Sequence, residues 1–305
     1  TGTPNWGGRR QGPPAWQSGC LMKNLNGRIA AITGAGSGIG RALAEELSRR
    51  GAHLALSDVN EVGLAETVAR CEGRGVKVTS QIVDVADRAA VEAWADLVVD
   101  EHGAVNLIFN NAGVAVAATV ESISYEDFEW LMNINFWGVV HGTKAFLPHL
   151  KAAGEGHVVN VSSVFGLVSI PSQSAYNAAK FAVRGFTDAL RIELEIDPCG
   201  VSATTIHPGG IATNIARDAR VDDSVADVAG STEEAMVEFD KFLRTPPEKA
   251  ARQILKAVER NRRRALIGPD AGGFDAVSRL PAGLYQRVLA GGARLQRRER
   301  APDAP

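Results

Sequence analysis

Short apolar runs alternate along the chain with stretches whose apolar side chains return every third or fourth position. Arg28-Ile-Ala-Ala-Ile-Thr33 is such a run, and it predicts a buried strand ending at glycines. Residues 38–50 place Ile39, Leu43 and Leu47 four apart on one helical face, and Gly51 stops the helix. His53 to Ser57 reads as the next strand. Asn60 caps a helix to about Cys71, Val76 to Val83 is strand again, Asp87 caps a helix to about His102, and Asn106 to Asn110 is a fourth strand. Ser124 with Asp127 resembles a capping box and opens a helix that runs towards Leu150. Strands at 157–162 and 201–206 flank a helix over roughly 174–196. Such alternation, with strands apolar on both faces, predicts the α/β class: one doubly wound parallel sheet covered by helices, spanning residues 23–270.

Composition narrows the function classes. The 305 residues carry 33 basic against 35 acidic side chains, a net charge of −2, and nucleic acid as a main partner would need a basic surplus. Three scattered cysteines fit neither a disulfide framework nor a zinc site, and no His-x-x-x-His pair suggests a metal, so the expectation is a cytoplasmic protein without one. The stretch from Gly156 to Ala179 lacks any charged residue. Asn160, Ser162, Ser163, Gln173 and Tyr176 nevertheless exclude an integral membrane span there. Residues 1–22, rich in Gly and Pro, read as a disordered tail, with Met22 a candidate natural start. Acids crowd between Arg217 and Asp240, which predicts a mobile lid with a short helix capped by Ser231. Residues 271–305 form a basic helical extension in which Leu280, Leu284, Val288 and Leu295 share a face. That face is expected to pack on its own domain rather than to meet a second subunit or a membrane surface.

Chemistry enters at the turn after the first strand, Thr33-Gly34-Ala-Gly36-Ser37-Gly38-Ile39-Gly40. Glycines admit positive φ and close backbone approach, and a helix N-terminus behind them offers free N–H groups, a combination that suits a pyrophosphate. The alternative is a tight strand–helix turn with no ligand. Asp58 ends the second strand, where an acid can accept hydrogen bonds from a ribose diol or simply face solvent. No cation stands beside it in the sequence to take a 2′-phosphate, which favours NAD over NADP. Further on, Tyr176 and Lys180 fall four apart on one helix face, a pairing expected by chance about 0.08 times in a chain of this composition. An ammonium beside a phenol favours the phenolate, and a tyrosine so tuned can exchange a proton with a carbonyl or alcohol oxygen. Ser163 follows the fifth strand, where a hydroxyl can orient that oxygen.

Thr33-Gly34-x-x-x-Gly38-x-Gly40, Asn110-Asn-Ala-Gly113, Asn135-x-x-Gly138, Ser163, Tyr176-x-x-x-Lys180 and Pro208-Gly209 occur in this order. Together they resemble the short-chain dehydrogenase/reductase (SDR) family over about residues 25–270. The resemblance implies a single-domain Rossmann fold, usually dimeric or tetrameric, that transfers hydride between nicotinamide and a secondary alcohol or ketone. It makes Tyr176 the general acid/base, with Lys180 lowering its pKa and binding the nicotinamide ribose. Ser163 would hold the substrate oxygen, and Asn135 would anchor a proton-relaying water. Gly34, Ser37, Gly38, Ile39 and Gly40 would surround the phosphates, Asp58 the adenosine ribose, and Asp84 with Val85 the adenine. Asn111, Ala112 and Gly113 would line the cofactor, and Pro208, Gly209, Ile211 and Thr213 would lie near the carboxamide. The apolar residues between Val164 and Gln173 suit a hydrophobic substrate, and buried packing accounts for them equally well. An NADPH-preferring carbonyl reductase and a non-catalytic dinucleotide sensor are the alternatives. The expected assembly is a homodimer or homotetramer.

Overall fold

The computed structural model describes residues 22–229 and 242–300. Seven parallel strands form one sheet: β1 (Ile29–Thr33), β2 (His53–Asp58), β3 (Val78–Ile82), β4 (Leu107–Asn110), β6 (Gly156–Val161), β7 (Val201–Pro208) and β9 (Arg264–Ile267). Their spatial order is β3-β2-β1-β4-β6-β7-β9. The chain builds outwards from β1 through β2 to β3, then crosses back to lay β4 on the other side of β1. The strand order therefore reverses between β1 and β4, and the loops leaving Thr33 and Asn110 part there to open a crevice, the usual ligand position in such sheets.

Every residue of β1 is buried, because both faces of the strand are covered. Ala30 and Ile32 meet Leu43 and Leu47 of helix α1 (Gly38–Arg49) and Ile254 and Leu255 of helix α8 (Pro247–Glu259). Ile29 and Ala31 face the opposite layer, with Trp94 of α3 (Arg88–His102) and Phe146 and Leu150 of α5 (Gly138–Ala152). Helix α2 (Glu61–Cys71) lies beside α1, with Asn60 Oδ1 accepting the Gly63 N–H as its cap at 3.0 Å. Strand β3 is the outer edge and mostly exposed, which explains its polar sequence and its being shorter than the expected Val76–Val83.

The helix expected from Ser124 to Leu150 exists with an interruption. Helix α4 (Tyr125–Met132) passes into a π-helical turn at Asn133–Trp137 before α5. Ser124 caps it as expected, accepting the Asp127 N–H at 3.0 Å. Strand β5 (Val116–Ala117) pairs with β8 (Arg220–Val221) in a separate parallel ribbon. Helix α6 (Ser174–Ile196) follows β6, and a short helix α7 (Val225–Ala229) follows β8.

Both α8 and β9 were absent from the expectation. Six residues of α8 are buried, including Ala250, Ala251 and Val258, and β9 extends the sheet beyond β7. Helices α9 (Ala271–Ser278) and α10 (Ala282–Arg300) end the described chain. Ala271 is fully buried in a cluster with Val164 and Phe165, so the segment expected as an extension begins inside the core. On and before α10, Leu280, Leu284 and Val288 stand 45%, 49% and 66% exposed, contrary to the expectation that this face packs on its own domain. At the other end Met22 is buried with Leu25, placing it in the core and not in the expected tail. Residues 1–21, residues 230–241 with the later part of the expected lid and its Ser231 cap, and residues 301–305 lie outside the described residues. Among the described residues no helix is long and apolar enough to cross a membrane, and no three metal-ligating side chains gather.

Candidate active site

The glycine turn is built by steric necessity. Gly34 adopts φ +65°, and a Cβ on it would lie 2.8 Å from the Ala112 Cα. A Cβ on Gly40 would lie 2.0 Å from the Gly34 carbonyl oxygen. Gly40 therefore serves the close passage of helix past turn and does not line the cavity. Ser37 precedes α1 in extended conformation without a side-chain cap, which leaves first-turn N–H groups open to an anion where Ser37, Gly38 and Ile39 face the cavity. Asn111 holds the turn from the neighbouring strand. Its Nδ2 donates to the Thr33 and Gly34 carbonyls at 3.0 and 3.2 Å, and its backbone N–H donates to Thr33 Oγ1.

Asp58 is fixed by the backbone. One carboxylate oxygen accepts the Gly36 N–H at 2.7 Å and the other the Asn60 N–H at 2.9 Å, so the acid both ties β2 to the turn and keeps lone pairs at the cavity. A cation overlooked in the sequence lies nearby: Arg41. Its guanidinium donates to the Gly36 and Gly63 carbonyls and to Thr67 Oγ1, and pairs with Glu66 at 3.0 Å. Those contacts occupy it. Asp84 is exposed at the end of the same wall, where its Oδ1 accepts the Ala86 N–H, and Val85 is buried beside it.

Tyr176 and Lys180 occupy successive turns of α6. The tyrosine hydroxyl faces the Ser163 side chain, whose Oγ accepts the Phe165 N–H at 3.1 Å, and the lysine Nζ lies 5.5 Å from the Tyr176 ring centroid. Burial pushes Tyr176 up to about 12, with the neighbouring Ser163 hydroxyl acting in the opposite direction. Burial pushes Lys180 down to about 8. Desolvation therefore outweighs the lowering of the tyrosine that the spacing predicts. Lys180 Nζ donates to the Val161 carbonyl at 3.1 Å, beside the ring and not at its hydroxyl.

Asn135 sits on the π-helical turn, fully buried. Its amide is spent on Val114, accepting that residue's N–H and donating to its carbonyl, each at 2.8 Å. A Cβ on Gly113 would come within 3.1 Å of Asn135 Oδ1 and 3.5 Å of Lys180 Nζ, so both side chains approach Gly113 closely. Asn135 does not itself line the cavity.

The cavity holds about 640 Å³, within the ordinary range for ligand pockets. Apart from Gly40 and Asn135, every expected site residue lines it, from Gly34 to Thr213. Three contributors were missed. His207 on β7, fully buried, places Nδ1 2.8 Å from the Ser163 carbonyl, and burial holds its pKa near 4, so the neutral ring donates there. Asp270 accepts the Gly210 N–H at 2.8 Å, fixing the turn after Pro208. Phe242 forms part of the wall, and a Cβ on Gly210 would lie 2.0 Å from its carbonyl oxygen.

A crevice at the strand reversal, a glycine cradle and a Tyr–Ser pair facing one cavity with a lysine one turn away define a Rossmann-type oxidoreductase. Comparison with known proteins names the family. Residues 28–224 match the short chain dehydrogenase family model, and the chain belongs to that family. It is similar to the Mycobacterium tuberculosis (strain H37Rv) protein named "Putative oxidoreductase SadH", with 48% identity over 273 residues, 89% of this chain and 97% of that protein. It is also similar to a solved short chain dehydrogenase/reductase from Burkholderia phymatum in complex with NAD. The TM-score there is 0.78 at 32% identity, covering 93% of this chain and 99% of that one. A Mycobacterium paratuberculosis short chain dehydrogenase bound to NAD gives a TM-score of 0.69 at 26% identity, over 80% of this chain and 97% of that one.

Proposed function

We propose that this oxidoreductase interconverts a secondary alcohol and a ketone, both hydrophobic near the reacting carbon, with NAD(H) as its partner in hydride transfer. The observation that carries the reading is that Tyr176, Ser163 and Lys180 open onto the same cavity as the glycine cradle and Asp58. The fit to a dinucleotide rests on steric grounds: the turn is emptied of side chains where Cβ atoms on Gly34 and Gly40 would collide, and helix α1 presents uncapped N–H groups beside it. NAD-bound relatives of the same fold support this assignment. When bound, the nicotinamide supplies or accepts the hydride.

The chain's own groups manage the proton and the geometry. Tyr176 gives its phenolic proton to the ketone oxygen during reduction and takes the alcohol proton during oxidation. Ser163 Oγ, beside that hydroxyl on the cavity wall, orients the substrate oxygen, and His207 steadies Ser163 by holding its carbonyl. Lys180, one turn along α6 from Tyr176, stabilises negative charge on the phenol and holds the cofactor ribose. Asn135 fixes the backbone at Val114 from its π-helical turn. Burial keeps Tyr176 protonated in the free site, which sets it to donate. Oxidation requires the phenol to ionise and is opposed by about 1.4 kcal/mol for each pH unit below its pKa. Asp58 would repel a 2′-phosphate, and Arg41, held by two carbonyls and Glu66, is not placed to offset it. Assembly as a homodimer or homotetramer belongs to the same reading, supported by exposed Trp137 on the π-helical turn and Ile192 and Ile196 on α6, and the cytoplasm is its expected place.

The test is a spectrophotometric screen of alcohols and ketones that follows nicotinamide absorbance with each cofactor. Turnover with NAD(H) exceeding that with NADP(H) is expected. A clear NADPH preference overturns the role of Asp58, and cofactor binding without turnover on any substrate overturns the enzyme.

A further inference from the structure

Four aromatic rings form a continuous edge-to-face chain at the substrate end of the cavity. Phe165 meets Tyr176 with centroids 6.3 Å apart at 83°, Phe165 meets Phe274 at 6.1 Å and 82°, and Phe274 meets Phe242 at 5.7 Å and 83°. Tyr176, Phe165 and Phe242 line the cavity, and Phe274 stands behind the last two as their common support. Phe274 is carried by α9, whose first turn is anchored through Asp270 to the Gly210 N–H. The helix that carries Phe274 is thus tied at its start to the turn after Pro208.

Rings already tilted edge-to-face leave partners of one geometry for an incoming group. A planar π system on the substrate can continue the alternation, placing its edge on one phenylalanine face or its face on another's edge. A saturated ring of the same size gains only the area term. Resting on the reading above that the site handles alcohols and ketones, we propose that Phe165 and Phe242, held by Phe274, select substrates whose carbonyl carries an aryl group. The reactive carbonyl then lies towards Tyr176 and its aromatic substituent towards Phe242.

Acetophenone and cyclohexyl methyl ketone, nearly equal in size, separate aromatic recognition from apolar recognition. The readout is the ratio of their kcat/KM values with NADH, for the wild type, Phe242→Leu and Phe274→Leu, with NADH binding followed independently by its fluorescence. The wild type is expected to favour acetophenone by about 10-fold, and the ratio to fall towards unity in both variants while NADH binding is unchanged. Either leucine variant that retains NADH binding suffices, should the other fail to fold. A wild-type ratio near one, a ratio unmoved in a variant that binds NADH, or an NADH-binding wild type that reduces neither ketone overturns the aryl selection and leaves the oxidoreductase reading standing. Absence of both NADH binding and turnover on any ketone removes that reading, and the selection with it.

Discussion

Two histidines inside the sheet make the stability of this protein depend on pH. His157 and His207 are both fully buried, and burial holds their pKa values near 3 and near 4. The ring of His157 bonds through Nε2 to Thr204 Oγ1 at 2.7 Å, with Arg191 further disfavouring its protonation. His207 faces the Ser163 carbonyl and Asp275, which favour protonation, and Arg264 and Arg184, which oppose it. In the unfolded chain each titrates near 6.5, so between roughly pH 6.5 and 4 the unfolded state binds more protons than the folded one. Stability is therefore complete above pH 6.5 and is lost as the pH falls through that window. From pH 8 to pH 5 each ring contributes a loss of about 2 kcal/mol, about 4 kcal/mol together. The assay is urea unfolding at the two pH values for the wild type, His157→Gln and His207→Asn, chosen to keep an amide nitrogen near the bonded ring atom. Each single variant should lose less stability on acidification than the wild type by about 2 kcal/mol, whatever other groups contribute. A drop in both variants equal to that of the wild type refutes the argument.

Further outcomes follow from the site. Tyr176→Phe should abolish turnover, leaving the NADH dissociation constant, measured by fluorescence titration, within about two-fold of wild type. Gly40→Ala drives a Cβ to 2.0 Å from the Gly34 carbonyl oxygen and should cost about 1–3 kcal/mol in denaturant unfolding and weaken NADH binding. Gly272→Ala, with nothing within 4 Å of its Cβ, should be neutral or stabilising by up to about 1 kcal/mol in the same experiment. Asp270→Ala leaves the Gly210 N–H without its acceptor and should raise the KM for NADH, with a stability cost of about 1–3 kcal/mol, whereas Asp270→Asn should retain most of both.

The parts of the molecule that could be read from the sequence were those whose chemistry is local. Strand, glycine turn and helix follow one another within residues 29–49, and Tyr176 and Lys180 are a single helical turn apart, so spacing alone places them together. What escaped depends on partners distant in sequence. Asp270 acts on Gly210, and Phe274 on Phe165, across long separations that no periodicity encodes. The strand Arg264–Ile267 is four residues long and follows an arginine run, so its apolar signal is too brief to stand out. The π-helical turn that buries Asn135 leaves the apolar pattern of a helix intact while changing its register by one residue. The spacing of Tyr176 and Lys180 predicts a lowered tyrosine pKa, but spacing carries no information on desolvation, and in the folded protein desolvation dominates.

Because Asp270 and Phe274 come late in the chain yet brace the turn at Gly210 and the ring of Phe165 from behind the pocket, order of synthesis matters. On the ribosome the glycine cradle, the serine and the tyrosine–lysine helix all emerge while the pocket still lacks its last supports. A nascent chain paused before residue 270 can assemble most of the sheet, but its Gly210 amide has no acceptor and its Phe165 ring no backing. Such a chain should acquire a nucleotide-ready framework before it acquires a selective mouth, so that competence to discriminate among substrates arrives with the final helices.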